Sequence, residues 1–135
     1  CSDITRCVHI GEPPAEFAEA YDHLADAQAK AVEAATVGAS GATVDAVARG
    51  RLAEADLDQW FLHRLGHGIG VEEHEDPYLV DGNDAPLVAG NAFSIEPGFY
   101  IAGRWGARIE DIIVATDRGP RSLNCVDHDL AVVDG

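Results

Sequence analysis

Two alternating segments joined by a glycine-containing connection constrain the fold of this chain most strongly. Residues 92–101 read A-F-S-I-E-P-G-F-Y-I, residues 107–115 read A-R-I-E-D-I-I-V-A, and A-G-R-W-G lies between them. Alternation with a period of two is typical of half-buried strands, and the short connection predicts an antiparallel hairpin. With Gly103 at its centre, this hairpin places Glu96 directly opposite Glu110, with Cβ atoms about 5 Å apart.

Two carboxylates at facing positions repel each other, so the hairpin needs a compensating group there. A bound divalent cation is one remedy, and a proton shared between Glu96 and Glu110 is another. Arg108 lies on the same face as Glu110, two residues earlier, and pairing with its guanidinium is a third. Pro97 and Gly98 indicate a bent, constrained strand directly after Glu96, which would hold that carboxylate rigidly.

Helical patterns precede these strands. Residues 15–37 predict a long helix, because apolar residues recur there at spacings of three and four. Residues 43–56 predict a second helix with Thr43 as its N-cap. Shorter strands are predicted at residues 2–10, 60–65 and 87–89. Because helices come first and most strands follow, the order favours an α+β domain over a parallel βαβ sheet.

Composition limits the partners of the chain. The formal net charge of −15 disfavours nucleic acid and anionic membranes, since both need basic patches. No apolar run approaches the ~20 residues that cross a bilayer. The three cysteines include no C-x-x-C pair, so reduced thiols in the cytoplasm are expected. The chain contains no Met and begins at Cys1, and we expect it to be part of a longer protein.

The segment L62-H-R-L-G-H-G-I-G-V-E-E-H-E75 is rich in glycine, histidine and glutamate. Its glycines resemble a phosphate-binding loop, but the acids that follow would repel an anion and would not start a helix. His63, His67 and His74 could hold a single zinc ion, although the H-E-x-x-H spacing is absent. The three glutamates Glu72, Glu73 and Glu75 are expected to be solvated.

A third hypothesis joins this segment to the hairpin. Asp3, His67, Glu96 and Glu110 supply three carboxylates and one imidazole. That ligand set suits a pair of divalent ions bridged by carboxylates and a water molecule. The other histidines of the segment would then be available for work on a substrate.

Four strings together resemble the pita-bread metallopeptidases, specifically the Xaa-Pro dipeptidase (prolidase) and aminopeptidase P branch. They are S2-D-I-T-R6, G66-H-G-I-G70 with H74-E-D-P77, F93-S-I-E-P-G98 and R108-I-E-D111. They occur in the order of the family, and the likeness is strongest to bacterial cytoplasmic proline dipeptidases. The resemblance implies that residues 1–135 form the C-terminal part of a pita-bread catalytic domain, with two helices packed on a curved antiparallel sheet.

The resemblance also implies which residues bind metal. Asp3 and Glu110 match the carboxylates that bridge two ions in relatives. His67 matches the only histidine ligand, and Glu96 matches a glutamate that binds the same ion and transfers protons. The family has one further aspartate ligand and one further catalytic-site histidine, both upstream of the position of Asp3.

Other residues match positions that handle the substrate. The resemblance implies that His74 stabilises the tetrahedral intermediate and that His63 lines the proline side of the pocket. It places Arg108 near the substrate carboxylate and the metal cluster, with Thr5 behind the ligands. A creatinase-like hydrolase without metal is disfavoured, because that branch lacks the full carboxylate set.

The activity that the resemblance implies is hydrolysis of the peptide bond before proline in dipeptides or short peptides. Its cofactors would be two divalent ions, with Mn²⁺ foremost and Co²⁺, Zn²⁺ or Fe²⁺ as alternatives. A homodimer in the cytoplasm is expected, with no nucleic acid and no membrane as partner. The alternatives are aminopeptidase P activity, or an inert fragment that serves as a binding module.

Overall fold

The computed structural model describes residues 1–135. Two helices and nine strands follow one another in an α+β arrangement, as predicted. The elements are β1 (Val8–Ile10), α1 (Ala15–Ala34), α2 (Gly41–Ala53), a 3-10 turn (Asp58–Trp60), β2 (Gly66–Gly68), β3 (Glu75–Leu79), β4 (Ala92–Ile95), β5 (Gly98–Ile101), β6 (Trp105–Arg108), β7 (Asp111–Thr116), β8 (Gly119–Ser122) and β9 (Ala131–Val133).

The helices are slightly shorter than the sequence predicted. α1 buries the predicted apolar stripe, namely Phe17, Tyr21, Leu24, Ala27 and Ala31, and it ends at Ala34 rather than at residue 37. α2 begins at Gly41, because the Ser40 hydroxyl accepts a hydrogen bond from the Thr43 backbone N–H at 3.1 Å. Ser40 is therefore the N-cap, and the prediction of Thr43 was wrong. α2 ends at Ala53, and Asp56 has a left-handed φ of 56° that ends the helical path.

Five strands form an antiparallel sheet in the order β3-β2-β4-β7-β8, and β5 pairs with β6 in a separate hairpin. The register predicted from Gly103 is confirmed on both sides of the break at residues 96–97. Before the break Ile95 pairs with Asp111, and after it Gly98 pairs with Arg108. β4–β5 and β6–β7 are therefore the two arms of one long hairpin, interrupted where Glu96 and Glu110 face each other.

Three predicted strands are wrong or too long. Of residues 2–10 only β1 is a strand, which pairs in parallel with β9, and Thr5 forms an isolated bridge with Glu110. Residues 60–65 are irregular because α2 holds them by side chains: Asp45 accepts from the Leu65 N–H, and Arg49 donates to the Phe61 and His63 carbonyls. Residues 87–89 are also irregular. The sequence did not predict β2, β3, β8 or β9.

The core lies between the helices and the sheet. A cluster of 22 buried apolar residues joins α1 and α2 to β4, β5 and β7, and it includes Leu24, Leu52, Phe93, Phe99 and Ile113. Burial on this scale fixes the two hairpin arms against the helices. No helix of the chain has both the length and the apolar character that a membrane crossing requires.

Candidate metal centre

The four predicted ligands come together at the break in the hairpin. Asp3 arrives from the N-terminal segment and His67 from β2, while Glu96 follows β4 and Glu110 precedes β7. The ligand atoms of Asp3, His67 and Glu110 all lie within 4.8 Å of one another. Glu96 Oε1 lies 3.2 Å from His67 Nε2. Residues from opposite ends of the chain thus place three carboxylates around one imidazole.

Backbone bonds hold each carboxylate in position. The Glu96 N–H donates to the Leu65 carbonyl at 2.8 Å, which joins the bend to the segment before β2. Thr5 and Glu110 exchange N–H···O bonds of 3.3 and 3.2 Å. That short antiparallel bridge carries Asp3, two residues before Thr5, to the metal side of the sheet.

Close packing explains the glycines around His67. A Cβ on Gly66 would collide with the Ser94 carbonyl, and one on Gly68 would collide with the Asp76 carbonyl. Only glycine lets β2 lie this deeply between β3 and β4. His67 is 2% exposed as a result.

The hydrogen bonds of His67 fix its tautomer. Nδ1 lies 3.1 Å from the Gly68 carbonyl, which can only accept, so Nδ1 carries the proton. The lone pair of Nε2 then faces Glu96 at 3.2 Å and Asp3 at 3.8 Å. Ser94 supports this pair: its hydroxyl accepts from the His67 N–H and donates to Glu96, both at 3.0 Å.

The site concentrates negative charge that the protein does not balance. Burial raises the pKa of Glu110, and the charges of Glu96 and Asp3 raise it further, against the lowering effect of the Thr5 hydroxyl bond. Arg108 approaches Glu96 and Glu110 only to 3.9 and 3.8 Å, which is too long for a hydrogen bond. Its Nε instead donates to the Thr5 hydroxyl at 3.1 Å. Arginine pairing is therefore the weakest of the three remedies predicted for this hairpin.

These residues fit a pair of divalent ions. His67 Nε2 and a carboxylate oxygen of Glu96 face each other at 3.2 Å, so a proton or a cation must lie between them. Three carboxylates with one imidazole form a donor set that suits Mn²⁺, Fe²⁺ or Zn²⁺. An imidazole whose other nitrogen donates to a carbonyl is the usual arrangement of a metal-binding histidine.

A cavity of about 760 Å³ opens beside the ligands, and among its eight lining residues are His63, Arg64, His74, Tyr78 and Arg108. The His74 ring lies 4.0 Å from the His67 ring, centroid to centroid, and His74 is exposed to the cavity with no hydrogen bond within the chain. A cavity of this size is in the range that holds small ligands.

His63 is more constrained than His74. Its Nδ1 lies 2.8 Å from the Arg64 carbonyl and its Nε2 lies 2.9 Å from the Tyr100 hydroxyl. Burial raises the pKa of Tyr100, so this hydroxyl keeps its proton at neutral pH. The sequence did not single out Tyr100, although it lies on the strand that follows the Glu96 bend.

The sequence also missed the group behind the ligands. Asp111, next to Glu110, accepts hydrogen bonds from Arg6 at 2.7 Å, His128 at 2.5 Å and Gln28 at 3.1 Å. Arg6 also donates to the Glu110 carbonyl at 2.8 Å. The sequence signal that could have identified these partners of Asp111 is an acid at the start of the apolar run D111-I-I-V114.

The predicted solvation of the nearby glutamates holds for two of the three. Glu72 and Glu73 are exposed, but Glu75 is only partly so. The Glu75 carboxylate accepts a hydrogen bond from the Glu72 N–H at 3.0 Å. Glu75 was therefore wrongly predicted as a freely solvated side chain, because the loop folds back on itself.

Comparison with known proteins agrees with this geometry. The model of metallopeptidase family M24 matches residues 1–117. The probable dipeptidase PepE of Mycobacterium tuberculosis is 54% identical over 132 residues, which cover 98% of this chain and 35% of that protein. The Xaa-Pro dipeptidase of Lactobacillus helveticus is 44% identical, over 98% of this chain and 36% of that protein. The chain thus spans about a third of the length of these relatives.

A solved structure extends the likeness to three dimensions. The crystal structure of the X-Pro aminopeptidase from Thermotoga maritima superposes with a TM-score of 0.95 at 41% identity, and covers 98% of this chain and 38% of that chain. The pita-bread architecture predicted from the sequence is confirmed for the part that the chain spans. This chain belongs to metallopeptidase family M24.

Proposed function

We propose that this chain carries the metal centre of an Xaa-Pro dipeptidase, which hydrolyses the peptide bond before proline. The observation that carries the proposal is the convergence of three carboxylates on the Nε2 lone pair of His67, at the edge of the 760 Å³ cavity. The relatives named dipeptidase and Xaa-Pro dipeptidase support the reaction class. Because the chain spans about a third of their length, the activity of a whole protein is part of this proposal.

In this proposal Asp3, His67, Glu96 and Glu110 hold two divalent ions. When bound, such ions supply a water molecule with a pKa near 7 and polarise the scissile carbonyl. Glu96 accepts the proton of the attacking water and delivers it to the leaving proline nitrogen. Ser94 keeps the Glu96 carboxylate oriented for that transfer through the 3.0 Å hydrogen bond.

His74 is assigned to the developing oxyanion. Its ring faces the cavity beside His67 and has no partner within the chain, so it can donate to a new negative charge. Donors of this kind contribute about 3–4 kcal/mol to the transition state. His63 lines the wall and is fixed by Tyr100. Arg108, held by Thr5, offsets part of the charge of Glu96 and Glu110.

Finer parts of the proposal rest on the same resemblance. Mn²⁺ is our first choice of ion, because carboxylate-rich sites suit it. We further propose that residues 1–135 form part of a pita-bread catalytic domain, that the protein acts in the cytoplasm as a homodimer, and that it binds neither nucleic acid nor membranes. The three unpaired cysteines support the cytoplasmic location. The net charge of −15 supports the absence of nucleic-acid and membrane partners.

Aminopeptidase P activity is the second candidate. The observation that favours it is the superposition on an X-Pro aminopeptidase with a TM-score of 0.95. Both candidates use one metal centre, and they differ in whether the substrate must present a free carboxylate directly after the proline. A comparison of Ala-Pro with Ala-Pro-Ala as substrates therefore separates them.

The test begins with metal content. The chain is dialysed against Mn²⁺, freed of excess and measured by mass spectrometry, and then assayed on Ala-Pro and Ala-Ala. We expect about two ions per chain, hydrolysis of Ala-Pro only, and loss of activity in EDTA that Mn²⁺ restores. Glu96→Gln should abolish turnover, while Glu73→Gln, an exposed acid of the adjacent loop, should not. Uptake of no metal, or hydrolysis that survives EDTA, would contradict the proposal.

A further inference from the structure

One arginine beside the metal centre has no partner. Six of the nine lysines and arginines form ion pairs, namely Arg6, Lys30, Arg49, Arg51, Arg104 and Arg108. Arg118, on the turn before β8, and Arg121, within β8, are both exposed and form no ion pair. Arg64 is the remaining one: it is half-buried, lines the 760 Å³ cavity, and makes no side-chain hydrogen bond or ion pair with the chain.

Two histidines and the other arginine of the cavity already have partners within the chain. Both ring nitrogens of His63 have partners, and the His67 lone pair faces the ligand carboxylates. Arg108 donates to Thr5 and lies between two glutamates. Among the histidines and arginines of the cavity, His74 and Arg64 are therefore the two that remain free to donate to a substrate, and His74 lies next to the ligands.

The guanidinium of Arg64 is held in a defined direction. Its central carbon lies 4.9 Å from the centroid of the Tyr78 ring, within the range of a cation–π contact. Its backbone is fixed because the His63 Nδ1–H donates to the Arg64 carbonyl at 2.8 Å and the following N–H of Leu65 donates to Asp45 at 3.1 Å. A guanidinium pre-oriented on an aromatic face loses little freedom when it binds a carboxylate.

The charge of the cavity wall favours an anion at this end. Two of its eight lining residues are arginines, and Glu96 is the one carboxylate among them. The chain as a whole has 24 acids against nine lysines and arginines, so this wall has the opposite bias. An unpaired arginine in such a wall is suited to a planar, bidentate carboxylate.

We propose that Arg64, stacked on Tyr78, is the receptor for the C-terminal carboxylate of the peptide substrate. The inference rests on the proposed peptidase function and narrows its substrate class to short peptides with a free carboxylate next to proline. Amidated peptides and peptides extended beyond proline are poor ligands, because they leave the Arg64 guanidinium unpaired. The site is thereby a dipeptidase site rather than an aminopeptidase site.

The test measures binding instead of turnover. N-acetyl-L-proline and N-acetyl-L-prolinamide are titrated calorimetrically into wild type, Arg64→Ala, Arg64→Lys and the control Arg121→Ala, each with Mn²⁺ and again in EDTA. We expect Arg64→Ala to weaken binding of the acid roughly tenfold and to leave binding of the amide unchanged. Arg64→Lys should fall between, since lysine keeps the charge but loses the fork. Arg121→Ala should match wild type.

Several results would overturn the inference. They are equal affinity of wild type for acid and amide, an Arg64→Ala effect of the same size on both ligands, and the absence of any binding of the acid. Any carboxylate binding by the ions themselves is common to all variants, so the difference between variants isolates Arg64. Carboxylate-selective binding without Ala-Pro hydrolysis would contradict the proposed function alone. Equal hydrolysis of Ala-Pro and its amide would contradict this inference alone.

Discussion

Glu110 and Asp111 are neighbours in the sequence and are both 2% exposed, yet their carboxylates have opposite surroundings. Asp111 accepts from a guanidinium, an imidazole and an amide. Glu110 has one hydroxyl partner and two further carboxylates nearby, and burial together with those charges raises its pKa. Because successive residues of a strand point to opposite faces, one strand serves both environments.

The difference shows how a structural acid can be told from a ligand acid. A buried carboxylate that only stabilises the fold is surrounded by donors, because an unpaired buried charge is costly. A carboxylate that binds a cation has other acceptors as neighbours, and its compensation comes from the ion.

Glu110→Gln should abolish binding of two Mn²⁺ ions, because it removes a ligand that is buried among the other carboxylates. In EDTA the same variant should unfold within about 1 kcal/mol of wild type or be more stable, since a repelled charge is lost. Metal analysis and urea unfolding measure the two effects. Retention of two tightly bound ions would show that Glu110 does not bridge them. Glu72→Gln, at an exposed position, is the control.

Asp111→Ala should lower the free energy of unfolding by about 3–5 kcal/mol, because it leaves the guanidinium of Arg6, whose side chain is 15% exposed, without its carboxylate partner. Asp26→Ala breaks the partly exposed pair with Arg51 and should lower the free energy of unfolding far less, because exposed ion pairs contribute little. Urea unfolding in EDTA compares the two variants. If they were equally stable, the donors around Asp111 would have no special structural role.

His74→Ala should lower turnover at least about tenfold and leave the metal content unchanged. The His74 ring lies 4.0 Å from the His67 ring, centroid to centroid, and faces the cavity. It is therefore neither a donor to Asp111 nor one of the proposed metal ligands. Steady-state kinetics on Ala-Pro and metal analysis of the same sample provide the measurement. A parallel loss of metal would instead make His74 a ligand.

Tyr21→Phe should cost about 1 kcal/mol of stability, because the Tyr21 hydroxyl donates to the His128 carbonyl at 2.8 Å and so supports the residue that binds Asp111. Burial raises the pKa of Tyr21 to about 12. A raised pKa means that this stabilisation is complete below pH 10 and is lost as the pH rises through about 12. Burial also raises the pKa of Tyr100, so alkaline absorbance titration should show one late-ionising tyrosine fewer in the variant than in wild type.

The sequence predicted the hairpin well because its signals are local. Alternation, the central Gly103 and the bend after Glu96 fixed the register that the structure has. β2 was missed, since G-H-G contains no apolar alternation and its pairing depends on close backbone contact. The partners of Asp111 were also missed, because segments far apart in sequence supply them and no local pattern connects these segments.

The hairpin has a consequence for the order in which the site assembles. Glu96 and Glu110 meet when one hairpin closes, whereas the bridge that delivers Asp3 joins Thr5 to Glu110 across 105 positions of the chain. Local closures are fast, and distant ones carry a larger entropic cost. We therefore expect pulse-labelling hydrogen exchange to show protected amides in β4 and β7 before those of Thr5. Two of the four proposed ligands then come together early in folding, and the proposed site is completed when the segment that carries Asp3 pairs with Glu110.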